Sequence, residues 1–187
     1  MPTFYSNWYS GAIGTTGHFT TLQTPVVDRV PAGFGGSRLR HKFCNFIIPA
    51  STDFADDDEI RFFDVKSGDR PVALYISCDA DQGATATWDI GLWAKGDNND
   101  GGILDRDLFD AGHNQAGAID REDVFDSAVL GSFDRGKPFW ELLEIGAGSD
   151  VVDPRVLYTV GQKATADLTI VSAAVSFAVE LEYIAGD

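Results

Sequence analysis

The three histidines of the chain are the first residues to test for metal or nucleophile chemistry. His18, His41 and His113 lie far apart in sequence, and no two have the spacing that zinc ligands use. The chain also lacks G-x-S-x-G, G-x-x-x-x-G-K-[ST], and a G-x-G-x-x-G between a strand and a helix. The sequence therefore predicts a protein that is not an enzyme and holds no metal or cofactor.

Carboxylates are abundant, and a pair such as Asp89 with Glu141 could serve a glycoside hydrolase. Those enzymes place two acids on opposite sides of a cleft, and the sequence alone does not show such a cleft. With 29 acidic residues in the chain, chance supplies many candidate pairs. Glycoside hydrolysis therefore stays open as a minor hypothesis.

The segment DNNDGG, from Asp97 to Gly102, could offer Asp97, Asn99 and Asp100 to calcium. It departs from the EF-hand pattern, because Gly101 stands where a third oxygen ligand belongs and Leu108 where the bidentate glutamate belongs. A turn between two strands is the simpler interpretation, since Asn, Asp and Gly tolerate turn geometry.

Tryptophans at positions 8, 88, 93 and 140 could form a platform for a sugar ring. The alternation of apolar residues assigns Trp88 to the core, and Trp140 is expected there too. Trp93 falls on the opposite face of its strand, so it is the surface candidate.

The stretch from Asp58 to Gly112 organises the fold. Apolar residues occur at every second position from Val72 to Cys78 and from Ala86 to Leu92, which is typical of strands with one buried face. Glu59–Val65 is the strand before them, and turn residues rich in Asp, Asn and Gly close each one. The pattern predicts an antiparallel meander that seeds a β-sandwich.

The flanking segments complete the predicted fold. Arg38–Pro49 is apolar on both faces near its end, which predicts a central strand, and the acids from Asp53 to Glu59 predict a solvated loop or turn. Residues Ile103–Pro138 are interpreted as loops and short helical turns, with Asp123–Leu130 as the best helix candidate. The remaining elements are a helix at Pro138–Ile145 and strands at Pro154–Val160, Ala166–Val171 and Ala174–Ile184.

Seven or eight strands with one or two short helices predict an all-β, antiparallel, jelly-roll-like β-sandwich. Residues 37–187 form this domain, and residues 1–36 form an extended N-terminal arm. Cys44 and Cys78 lie in different predicted strands and are interpreted as buried free thiols, although a disulfide between them is an alternative.

The distribution of charge changes near residue 50. Residues 1–50 contain one acid and four bases, a net charge of +3, whereas residues 51–187 contain 28 acids and 10 bases, a net charge of −18. A body this acidic repels nucleic acid and anionic membrane surfaces, so neither is an expected partner.

The N-terminal arm is rich in aromatic residues and shows no sustained periodicity, which is unusual for a disordered tail. One hypothesis is that it orders on another protein surface, where aromatic side chains act as anchors. The alternative is that it packs back on its own domain. The predicted partner-binding residues are Phe4, Tyr5, Trp8, Tyr9, Phe19, Arg29 and Phe34.

The order of motifs after Asp58 resembles a group of small virion proteins of tailed phages. The likeness is carried by the strand WDIGLW, the Asp- and Gly-rich loop after it, the segment ILDRDLFDAG, the turn KPFWELLEIG and the last strand AVSFAVELEYI. It covers Asp58–Asp187, about two thirds of the chain, and contains no catalytic motif. The arm departs from the pattern, because it is longer and more aromatic than the resemblance leads one to expect.

The resemblance implies a structural protein of the phage virion and, within that group, a capsid decoration (cement) protein on the outer head surface. Its implied partners are the major capsid protein and its own copies, with a trimer as one candidate assembly. The alternative function is a carbohydrate-binding jelly-roll module of a phage tail or fibre, using Trp93 and the Asp97–Gly102 loop.

Overall fold

The computed structural model describes residues 3–5, 39–80, 82–83, 86–96, 101–125, 130–131, 133–146, 157–170 and 174–186. Within these ranges the chain forms eleven strands and one helix, and none of the described helical residues belongs to a helix able to cross a membrane. The elements are β1 (Thr3–Tyr5), β2 (Leu39–Ile48), β3 (Asp53–Phe54), β4 (Glu59–Lys66), β5 (Arg70–Cys78), β6 (Thr87–Ala94), β7 (Ile103–Asn114), β8 (Ile119–Asp123), α1 (Phe139–Gly146), β9 (Leu157–Ala164), β10 (Leu168–Thr169) and β11 (Val175–Ile184).

Two main sheets form a β-sandwich, which confirms the predicted fold class. The five-stranded sheet has the order β1-β4-β9-β6-β7, and the four-stranded sheet has the order β2-β11-β5-β8. A small third sheet pairs β3 with β10. Every pairing among the described strands is antiparallel except that of β1 with β4.

The strands β4, β5 and β6 occur where the sequence predicts them, but they do not form a meander. β4 and β6 belong to the five-stranded sheet, whereas β5 belongs to the four-stranded sheet. Alternation of apolar residues identifies a half-buried strand without identifying its neighbours. Here successive strands cross from one sheet to the other, so that the two apolar faces meet.

Phenylalanines join the two sheets across the core. Phe46 of β2 lies 5.1 Å from Phe177 of β11 and 6.2 Å from Phe62 of β4, measured between ring centroids. The rings of Phe62 and Phe177 are 6.1 Å apart. Such pairs add about 0.5–1.5 kcal/mol each beyond their area burial, so this cluster holds the four-stranded sheet against the five-stranded one.

Among the described strands, β2 lies at the end of the four-stranded sheet, beside β11, where the sequence predicted a central strand. Its side chains alternate as expected: Cys44, Phe46 and Ile48 are buried, while Phe43 and Ile47 on the other face are 37% and 39% exposed. The strands buried on both faces include β4, β9 and β6, which lie side by side in the five-stranded sheet.

The region predicted as loops and a helix contains β7, the longest strand, and β8. The pairs Ile90↔Asp110 and Leu92↔Asp105 span five steps along β7 but two along β6. This bulge destroys the period-two pattern by which a strand is identified. The predicted helix at Asp123–Leu130 is also wrong where described, because Asp123 ends β8; residues 126–129 lie outside the described ranges.

Gly91 on β6 leaves room for the backbone of the β7 bulge to pack directly against it. A Cβ atom at position 91 would lie 2.1 Å from the backbone oxygen of Asp105 and 2.5 Å from that of Arg106. No rotation of a side chain relieves a contact with backbone, so only glycine fits this close approach of two strands.

The predicted helix is confirmed as α1. Pro138 precedes it, and its first amides are satisfied by the loop between β4 and β5: Phe139 N donates to Asp69 O at 3.0 Å, and Trp140 N to Ser67 O at 3.1 Å. Phe139 packs on Phe109 of β7 with a ring separation of 6.2 Å, so the helix closes one end of the core. Trp140 is only partly buried, which corrects its assignment to the core.

The limits of two strands and the burial of two acidic residues differ from the expectations. The strand expected at Pro154–Val160 is described from Leu157 and continues to Ala164, and the one expected at Ala166–Val171 contains the two-residue β10; residues 154–156 and 171 lie outside the described ranges. Asp58 and Glu59 are buried rather than solvated, and burial raises the pKa of the Asp58 carboxyl. Cys44 and Cys78 are buried free thiols, as predicted.

Candidate functional site

The outer face of the four-stranded sheet carries an apolar groove. Side chains of β2, β11 and the segment around β8 surround a volume of about 650 Å³. Phe43 and Ile47 of β2, Ala178 of β11 and Ile119 of β8 supply apolar walls, and Asp79 and Asp120 lie at its acidic margin. An open apolar groove of this size on a sheet is suited to contact another macromolecule.

A charged cluster lies on the same face. The guanidinium of Arg121 stacks on the ring of Tyr75, 3.7 Å from its centroid. It also pairs with Glu180 through Nε at 3.1 Å and with Glu182 through a terminal nitrogen at 3.2 Å. His41 Nε2 lies 3.5 Å from Glu180. These groups are partly exposed, so each pair contributes about 0–1 kcal/mol, and their effect is to fix the pattern of charge beside the groove.

Trp93 is fully buried, which corrects its assignment to the surface. Its Nε1 donates to Glu59 Oε1 at 2.9 Å, and Arg61 donates to the other Glu59 oxygen at 2.9 Å. Arg61 also donates to Gly101 O at 2.7 Å, which holds the chain after β6 over this face of the sheet. The carbohydrate-binding hypothesis therefore loses its surface aromatic residue. Residues 97–100 of the proposed calcium loop lie outside the described ranges.

The two acids considered for glycoside hydrolysis are engaged separately. Asp89 is buried, pairs with Arg106 at 3.1 Å and accepts a hydrogen bond from Gly112 N at 2.9 Å. Glu141 on α1 lies 3.7 Å from Lys137. Neither lines the groove.

The histidines do not come together either. His41 faces Glu180 on the four-stranded sheet, His113 Nδ1 lies 2.8 Å from Asp110 on β7, and His18 is outside the described ranges. Among the described residues no three His, Cys, Asp or Glu side chains form a group able to hold a metal ion.

Two predicted residues of the N-terminal arm, Phe4 and Tyr5, belong to β1. The backbone of this strand pairs in parallel with β4, with Phe4 opposite Ile60 and Tyr5 opposite Arg61. The other predicted partner-binding residues lie outside the described ranges: Trp8, Tyr9, Phe19, Arg29 and Phe34.

Asp105, in the bulged segment of β7, has a carboxyl group with a raised pKa. Burial raises the pKa of Asp105 to about 6, and the neighbouring Asp107 adds to the rise through a side-chain hydrogen bond and its negative charge. The folded state thus favours the protonated form of Asp105. The protonated Asp105 carboxyl makes its full contribution to stability below the ordinary aspartate pKa near 4, and this contribution is lost as the pH rises through 6.

We therefore expect Asp105→Asn to stabilise the protein at pH 8 by about 1 kcal/mol and to have little effect at pH 4.5. In a carboxyl shielded from water, a pKa rise of this size would correspond to about 3 kcal/mol in the free energy of unfolding. Asp105 is partly exposed, so water screens much of this electrostatic effect. Urea unfolding at both pH values measures the difference. Asp120→Asn, at an exposed position of β8, is the control, and an equal effect at the two pH values for Asp105→Asn would contradict the assignment.

Comparison with solved structures shows a likeness along the whole chain. The protein is similar to a chain in the capsid of Ralstonia phage GP4, with a TM-score of 0.50 and 18% sequence identity, over 100% of this chain and 99% of that chain. The protein therefore has the same fold as that chain of the Ralstonia phage GP4 capsid. A chain of the Cyanophage Pam1 capsid asymmetric unit gives a TM-score of 0.41 at 11% identity, over 88% of this chain and 97% of that one. No protein-family model matches, and no curated protein matches significantly in sequence.

The sequence did not identify the outer face of the four-stranded sheet as a candidate contact surface. Arg121 falls in the region that the sequence assigns to loops, so its position beside Glu180 and Glu182 was not foreseen. The available signal was the apolar second face of β2, where Phe43 and Ile47 indicate an association surface as readily as a central strand.

Proposed function

We propose that the protein is a non-enzymatic structural component of a bacteriophage virion, and specifically a decoration (cement) protein on the outer surface of the head. The observation that carries the proposal is the fold it shares, over its full length, with a chain in the capsid of Ralstonia phage GP4. The resemblance of its motifs after Asp58 to small phage virion proteins supports the same role.

The distribution of charge and packing suits such a role. The body is a two-sheet sandwich with a continuous apolar core, and its net charge from residue 51 onwards is −18. An acidic body facing solvent keeps particles apart in solution. The described titratable side chains that were considered for catalysis are instead paired with neighbours of opposite charge or with backbone amides.

Attachment is assigned to the N-terminal arm. Its first strand, β1, lies along β4, and the arm is followed in sequence by β2 of the other sheet. Between these two positions the chain carries Trp8, Tyr9, Phe19, Arg29 and Phe34, the proposed contacts with the major capsid protein. Burying about 400 Å² of apolar surface would contribute on the order of 10 kcal/mol to the free energy of binding, before the cost of ordering the segment is subtracted.

Separated virion parts provide the test. Particles of the phage that encodes this chain would be disrupted, heads and tails separated on a density gradient, and the chain quantified in each fraction by mass spectrometry. We expect it in the head fraction at a copy number comparable with that of the capsid subunits. Recovery with tails, or absence from mature particles, would overturn the proposal.

A further inference from the structure

Four polar side-chain atoms near the buried end of β6 lack a hydrogen-bond partner within the described part of the chain. They are Trp88 Nε1, His113 Nε2, Gln162 Nε2 and Gln82 Oε1. Three of these side chains are 0% exposed, and His113 is 6% exposed. Buried polar groups are nearly always bonded to protein or to ordered water, because an unpaired one loses the hydrogen bonds that it makes to water in the unfolded chain. The four atoms therefore need a ligand.

The register of the five-stranded sheet places three of the four side chains side by side. Trp88 of β6 pairs with His113 of β7 on one side and with Ala164 of β9 on the other. Directly opposed residues extend their side chains to the same face of a sheet, and so do residues two positions apart in one strand, which adds Gln162 to the group. This face is the one packed on the core, where the ring of Phe54 lies 5.1 Å from that of Trp88.

A chain of three glutamine amides crosses the same face. Gln82 Nε2 donates to Gln115 Oε1 at 2.8 Å, and Gln115 Nε2 donates to Gln162 Oε1 at 3.1 Å. Because Gln115 follows β7 and Gln162 lies on β9, this chain passes over β6, the strand between them that carries Trp88. Gln82 Oε1 and Gln162 Nε2 are its two ends. Ala164, the neighbour of Trp88 on β9, has only a methyl group and fills little of the space beside the indole.

The donors and acceptors of the cluster match those of water. His113 Nδ1 lies 2.8 Å from Asp110 Oδ2, and a carboxylate only accepts hydrogen bonds, so Nδ1 carries the proton and Nε2 of the neutral ring is an acceptor. Gln82 Oε1 is a second acceptor, whereas the N–H groups of Trp88 and Gln162 are donors. A water molecule can accept from both donors and donate to both acceptors.

We propose that one or two ordered water molecules are bound inside the protein at this cluster, where they accept from Trp88 and Gln162 and donate to His113 and Gln82. Buried waters typically make about three hydrogen bonds each to groups of this kind. A cation does not suit the site, because two of the four groups are N–H donors, and an apolar ligand would leave all four unpaired. The proposal is independent of the virion role, since it concerns the interior of the folded chain.

NMR spectroscopy of the full chain tests the site with water itself as the probe. A long-lived bound water gives cross-peaks of opposite sign in laboratory-frame and rotating-frame Overhauser spectra, whereas chemical exchange gives the same sign in both. We expect opposite signs at the indole N–H of Trp88, which is assigned by its loss in Trp88→Phe. The indole N–H of Trp93 donates to Glu59 Oε1 at 2.9 Å and should show no such peak. No peak at Trp88, or equal peaks at both tryptophans, would overturn the proposal.

Removal of one partner tests which groups hold the water. Gln162→Met keeps the length of the side chain and removes its amide, so the cross-peak between Trp88 and water should fall by roughly half or more. Asn114→Asp, at the exposed position beside His113, keeps the oxygen that Ala116 N binds and should leave the cross-peak unchanged. An unchanged cross-peak in Gln162→Met would contradict the proposed ligands.

A high-resolution crystal structure of the wild type provides a test that does not depend on the folding of a variant. Density for an ordered water is expected within about 3.2 Å of Trp88 Nε1. A Trp88 Nε1 atom with no water inside that distance would overturn the proposal.

Discussion

Replacing Trp8, Phe19 and Phe34 with serine in the full-length chain should leave the protein folded and reduce its affinity for phage heads at least a hundredfold. Aromatic anchors dominate the energetics of protein interfaces, and the loss of each commonly costs about 2 kcal/mol or more. The measurement is co-sedimentation of the purified variant with heads that lack the protein. Substitution is preferable to deletion of residues 1–36, because deletion also removes β1 and uncovers β4.

Two comparisons make this result specific. Phe133→Ser removes an aromatic side chain that is 95% exposed on the body, and it should bind heads as the wild type does. Far-ultraviolet circular dichroism and the melting temperature should be unchanged in the triple variant. Wild-type affinity of the triple variant would show that the body, and not the arm, makes the contact.

Glu59→Ala should lower the free energy of unfolding by about 3–5 kcal/mol. Glu59 accepts hydrogen bonds from both Arg61 and Trp93, and the side chains of the ion pair are 6% and 4% exposed. Without the carboxylate, the guanidinium stays buried with no charge to compensate it, which is the costly way to break such a pair. For a chain of this size the melting temperature should fall by about 10 °C.

A matched pair on the surface provides the control. Glu182 also pairs with an arginine, Arg121, at 3.2 Å, but the side chains are 29% and 49% exposed, and Arg121 keeps Glu180 when Glu182 is lost. Glu182→Ala should therefore cost no more than about 1 kcal/mol. Urea unfolding of both variants measures the difference, and similar losses would contradict the burial of the Glu59–Arg61 pair.

The parts of the fold that were predicted from sequence are those in which one physical rule acts alone. In β11, apolar residues from Val175 to Tyr183 alternate with Ser176, Glu180 and Glu182, and the structure buries the first set. Pro138 and the glycine after the apolar run locate α1, because proline is tolerated at the first turn of a helix and glycine ends it.

The errors arose where a long-range contact determines the outcome. Trp93 was assigned to solvent because its side chain points away from the sandwich core, but Glu59 and Arg61 lie against it and Gly101 is bonded to Arg61. β7 was missed because its bulge interrupts the alternation. No local pattern reports which segment will cover a face or where a register will shift.

β2 shows a different ambiguity. An apolar second face has the same pattern whether it is buried by another layer of the same chain or by another molecule. Phe43 and Ile47 are therefore consistent with a central strand, and in the order of the described strands β2 comes last in its sheet.

The most direct test of the proposed role is a cryo-electron microscopy map of the mature particle. We expect density on the outer surface of the head shell that fits the two-sheet body, with the N-terminal arm in contact with capsid subunits. Density for this chain in the tail or inside the shell, or a body whose arm contacts no other chain, would contradict it.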